Sequence, residues 1–126
     1  MQLPVFWKIL AVSLLFIFID SVYLYSSKNY FQQQITSIQG TPIQLRIGSA
    51  ILCYVALIVG LWVFILREKK PWTLAFLMGF VIYAVYETTN YATFAKWKWQ
   101  TVVMDSLWGA TLFALTTKLV YTLKIV

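Results

Sequence analysis

The chain is 126 residues long, 61% of them hydrophobic and only 11% charged, and its mean hydropathy is +0.77. A soluble domain is nearer half apolar and about a quarter charged, and a small one leaves much of its surface in water, so this composition excludes a soluble globule and points to lipid as the solvent. The net charge of +6 does not imply nucleic acid, because the 10 Lys and Arg residues stand at the ends of apolar runs, where anionic headgroups and the positive-inside effect account for them.

One membrane span takes ~20 residues. Four spans nearly exhaust the chain, so residues 1–126 read as a single all-α domain, an integral membrane four-helix transmembrane bundle. The first apolar run, Val5 to Tyr25, is long, is interrupted near its end by Asp20, and is followed by no small-residue cleavage pattern. It reads as a retained helix and not as a signal peptide. Ser26 to Gln44 is polar, contains Gly40 and Pro42, and reads as a loop. Within it Tyr30, Phe31, Ile35 and Ile38 line one side of a short helix suited to the membrane interface.

The second span runs from Leu45 to Leu66, and its small residues Ser49, Cys53, Ala56 and Gly60 recur at helical spacing. Such a stripe lets another helix backbone approach closely, in this chain or in a second copy. Arg67 to Lys70 form a charged turn, and Pro71 suits the first turn of the helix that follows. The third span runs from Trp72 to Phe94. In the next loop Lys96 and Lys98 alternate with Trp97 and Trp99, the pattern of an interfacial anchor. The fourth span runs from Thr101 to Tyr121. Short connections make successive helices antiparallel neighbours, with both termini on one side. Lys8, Arg67, Lys69, Lys70, Lys118 and Lys124 fall on that side, against Lys28, Arg46, Lys96 and Lys98 on the other, which points the termini to the cytoplasm.

The chain has no histidine and a single cysteine. It lacks a metal-ligand set, a glycine-rich phosphate loop and a serine–histidine pair, so no catalytic residue, metal or cofactor is expected. The acidic residues are more informative. Glu68 belongs to a charged turn, but Asp20, Glu87 and Asp105 lie inside apolar runs, where a charge near a span's centre costs about 2.5 to 3.5 kcal/mol. At 1.5 Å per residue, Asp20 lies roughly 7.5 Å from the end of its span, Asp105 roughly 6 Å and Glu87 roughly 10 Å. The antiparallel order brings all three into one layer beside the two longer polar loops.

Helical spacing puts Tyr83, Asn90, Tyr91 and Phe94 on the face of Glu87, Trp108 and Gly109 on that of Asp105, and Ser13, Phe16 and Tyr23 on that of Asp20. Tyrosine, tryptophan and asparagine can all donate hydrogen bonds to a carboxylate. The expected site is therefore Asp20, Glu87 and Asp105 with Asn90, Tyr83, Tyr91 and Trp108, holding a small ion, a proton or a polar ligand. The leading reading is a small transporter or channel that forms a homo-oligomer among membrane lipids, since four helices alone enclose little space. Two other readings stand beside it. The acids pair with Lys28, Arg46, Lys96 or Lys98 and only fix the packing of a structural or regulatory protein, or the chain is a membrane-embedded enzyme acting on lipid.

The segment Gly79, Tyr83, Tyr86, Glu87, Thr89, Asn90, Ala92, Thr93 and Trp97, followed by Asp105, Trp108 and Gly109, resembles the signature of a small four-span family of predicted membrane proteins of unknown function, found in bacteria and large DNA viruses. Asp20, Tyr30, Tyr54 and Gly60 match further positions, so the likeness covers most of the chain. Two residues depart from the family pattern, which has aspartate at Glu87 and leucine at Tyr91. The resemblance implies four spans and a set of polar positions, and it carries no activity.

Overall fold

The computed structural model describes residues 3–126. Four helices account for most of them: α1 (Val5–Gln39), α2 (Ile47–Leu61), α3 (Trp72–Thr93) and α4 (Trp99–Thr122). A π-helical turn, Trp62–Leu66, prolongs α2. No strand is present among the described residues. Val5–Gln39, Ile47–Leu66 and Trp72–Thr93 are each long and apolar enough to cross a membrane.

The fourth helix falls short of them in apolarity and not in length. Its 24 residues extend roughly 36 Å, enough for a hydrocarbon core of about 30 Å. It is the most enclosed helix, with Thr101, Asp105, Ser106, Thr116 and Thr117 all buried. A face turned to protein has no need of lipid-compatible side chains. Hydroxyls on this helix also bond to its own backbone, as Thr117 does to the carbonyl of Phe113 at 2.8 Å.

The contacts define an up-down-up-down bundle. Along α1 and α4, Phe16 meets Phe113, Asp20 meets Trp108 and Tyr30 meets Thr101, an antiparallel register. Tyr121 donates to the carbonyl of Lys70 at 2.6 Å, so the end of α4 lies by the turn between α2 and α3, and both termini share that end of the bundle. There the core closes on Phe16, Leu61, Ile65, Leu66, Leu112 and Phe113, all buried.

The α3–α4 pair is the tightest. A Cβ added at Gly79 would collide with the backbone carbonyl of Gly109, and one added at Gly109 would collide with the ring of Tyr83. Glycine at both positions is what lets the backbones approach this closely.

One expectation is corrected. Ser26 to Gln39 is helical, and α1 is one element of 35 residues, roughly 50 Å long. No glycine or proline interrupts it before Gly40, which adopts φ 79° and donates its amide to the Thr36 carbonyl at 2.8 Å, a left-handed cap. The extension is held to α4. Gln34 is buried and accepts from the Lys98 amide at 2.8 Å and the Thr101 hydroxyl at 3.1 Å. Of the small stripe on α2, Gly60 meets Met78 of α3. Ser49, Cys53 and Ala56 are exposed within this chain, because α2 docks through the adjacent face bearing Tyr54, Ile58 and Leu61.

Candidate functional site

The three intramembrane acids line one cavity of about 740 Å³, with Tyr23, Tyr83 and Trp97 beside them. Each acid sits on a different helix. Asp20 and Asp105 are buried, and Glu87 is wholly so. The cavity is bounded further by the extension of α1, at Lys28, Phe31 and Ile35, and by the chain entering α2, at Ile43 and Leu45. The long α1 therefore supplies one wall, and the clamp of Gln34 on the start of α4 holds that wall in place.

Every hydrogen bond to the carboxylates comes from a neutral side chain. Asp20 accepts from the Tyr54 hydroxyl at 2.5 Å and from the Trp108 indole at 2.9 Å. Asp105 accepts from the Tyr23 hydroxyl at 3.1 Å. Glu87 accepts from the Trp97 indole at 2.9 Å through Oε1. Its Oε2 is buried with no partner, and its carboxyl group lies within hydrogen-bonding reach of that of Asp105. Two carboxylates are acceptors only. Such neighbours need a proton, or a donor from outside the chain, between them.

No lysine or arginine offsets this charge. Among the described residues the one ion pair joins Lys70 to Glu68 at 3.9 Å, in the exposed turn far from the cavity. Lys28, Arg46, Lys96 and Lys98 make no ion pair with the acids. Lys28 lines the cavity on the side of the α1 extension, its ammonium 4.4 Å from the centre of the Tyr25 ring. The described residues also include no group of three or more His, Cys, Asp or Glu able to hold a metal ion.

The structure brings Asp20, Glu87, Asp105, Tyr83 and Trp108 together. Tyr91 is 53% exposed and points away. Asn90 is half-buried, and its side chain makes no hydrogen bond to the acids. Three donors carried no role in the sequence reading of the site: Tyr23, Tyr54 and Trp97. Tyr23 was legible as a neighbour on the face of Asp20, yet it bonds to Asp105. Trp97 reads as an interfacial anchor, but the loop turns it inward, where it is buried against Glu87. Nothing local in the sequence separates it from Trp99, which is exposed.

No curated protein and no solved structure matches the chain. The family model described as "Predicted membrane protein (DUF2177)" matches residues 5–122. With nearly its whole length inside that match, in an all-helical bundle of membrane-crossing length, the chain belongs to the DUF2177 family of predicted membrane proteins.

Proposed function

We propose that this chain is a small membrane transporter whose cation or proton site is the carboxylate cavity formed by Asp20, Glu87 and Asp105. One observation carries the reading: three carboxylates at membrane depth have no basic partner, and Glu87 keeps a buried oxygen without any donor. Uncompensated charge of this kind is expensive in a bilayer and marks ion and proton pathways. The closed core beneath the cavity, at Phe16 and Phe113, favours a site that is exposed to one side at a time over an open channel. In this reading both termini face the cytoplasm, and a second copy of the chain packs among the lipids against the outward small face of α2 at Ser49 and Ala56.

The test is flux into liposomes that hold the purified protein, with a proton-sensitive dye and with monovalent cations, for the native chain, Glu87→Gln and Asp105→Asn. Flux in the native protein that both variants lose supports the proposal. A native chain that moves neither protons nor cations removes it. The carboxylates then serve packing, a role that the complete hydrogen bonding of Asp20 already suits.

A further inference from the structure

A second cavity, of about 370 Å³, lies between α2 and α3. Cys53 and Leu57 form one side and Ile82 and Tyr86 the other, with Tyr83 and Asp105 also lining it. Tyr83, Tyr86 and Asp105 also line the larger cavity. The two spaces thus share a wall at Tyr83, Tyr86 and Asp105, one lying on the side of the loops and one between α2 and α3. Cys53 is exposed and Tyr86 is 58% exposed, and both lie within spans. The sideways cleft therefore opens toward lipid.

We propose that the carboxylate cavity takes an organic cation with an apolar tail, a long-chain amine, which enters sideways from the bilayer between α2 and α3. The proposal rests on the transport reading and names its substrate class. The head would be a protonated amine. An ammonium offers several N–H donors, which suits the unpartnered oxygen of Glu87 and the facing carboxyl of Asp105 together. The walls near the acids are aromatic, at Tyr23, Tyr83 and Trp97, and aromatic faces attract organic ammonium groups. The tail would lie in the cleft between Leu57 and Ile82, where burying methylenes is favourable.

The direction of entry follows from charge. The loop-side mouth carries the Lys28 ammonium, which repels a cation arriving from water. The cleft carries no basic residue.

The single cysteine provides the assay. In phosphatidylcholine nanodiscs, alkylation of Cys53 by N-ethylmaleimide is timed with dodecylamine, butylamine, dodecanol or dodecyl phosphate present, and the melting temperature is read alongside. Dodecylamine is expected to protect Cys53 and to raise the melting temperature, and the other three to do neither. Glu87→Gln and Asp105→Asn should each weaken dodecylamine binding by about tenfold or more, the scale of one lost charge-assisted hydrogen bond. Cys53→Trp, at an exposed position, should fill the cleft and abolish the dodecylamine-induced rise in melting temperature. Equal protection by dodecanol or dodecyl phosphate overturns the cationic head. A butylamine effect equal to that of dodecylamine, unchanged in Cys53→Trp, overturns the sideways route while leaving the cation site. Carboxylate-dependent proton or cation flux with no amine binding overturns this proposal and leaves the transport reading standing. Absence of both flux and binding ends the two together.

Discussion

Tyr23 and Trp108 stack ring on ring, their centroids 4.5 Å apart and their planes 11° from parallel, and each donates to the carboxylate on the other's helix. Trp108 of α4 reaches Asp20 of α1, while Tyr23 of α1 reaches Asp105 of α4. The exchange joins two helices through a pair of acids without any basic residue. It also aims both carboxylates at the same space.

The two rings should behave as one unit. Tyr23→Phe keeps the stack and loses one hydrogen bond, while Trp108→Phe loses the other. The double variant should depart from additivity by about 0.5 to 3 kcal/mol, the range for residues in direct contact. Denaturation in detergent of the four proteins of the cycle measures it. Strict additivity would mean that the two bonds are independent.

Trp97→Phe leaves Glu87 with no donor on either oxygen. A buried acceptor stripped of its partner costs about 1 to 3 kcal/mol, and more when charged. The same change at Trp99, which is exposed, should be nearly silent. Equal melting temperatures for the two variants would show that Trp97 is an interfacial anchor after all.

Gly79→Ala drives a methyl group into the backbone of Gly109, whereas Gly60→Ala meets only the terminal methyl of Met78 at 2.9 Å. Backbone cannot yield as a flexible side chain does. Gly79→Ala should therefore destabilise the bundle by about 1 to 3 kcal/mol, and Gly60→Ala by less. Because Glu87 and Asp105 face each other across the same helix pair, Gly79→Ala should also impair any binding that needs both. The reverse order of stability in a thermal melt would contradict the α3–α4 packing.

Neutralising Asp105 should not unfold the protein. Asparagine retains an acceptor for the Tyr23 hydroxyl, and no lysine or arginine is left stranded, since none is paired there. Removing one member of a buried ion pair typically costs about 3 to 5 kcal/mol. Removing an uncompensated charge from membrane depth relieves a cost of about 2.5 to 3.5 kcal/mol. The melting temperature of Asp105→Asn should hold or rise. A fall on the scale of a broken ion pair would reveal a cationic partner and count against the site as described.

The solvent of this protein, its helix count, the chain order of its helices and the common depth of Asp20, Glu87 and Asp105 all follow from the sequence. They depend on local quantities: the length of apolar runs, the turn at Arg67 to Pro71, and a rise of 1.5 Å per residue. The helical period also ranks side chains by face, which is why Tyr83 and Trp108 were readable as neighbours of the acids. What a face cannot tell is which helix it meets, or at what rotation. Tertiary packing decided that Tyr23 serves Asp105, that Tyr54 serves Asp20, that Trp97 turns inward while Tyr91 turns out, and that most of the small stripe of α2 stays uncovered. It also decided the fate of Ser26 to Gln39. A polar stretch is equally at home in a loop or in a helix, and here the bonds of Gln34 and Tyr30 to the start of α4 hold it as the second half of α1, and with it the wall of the cavity.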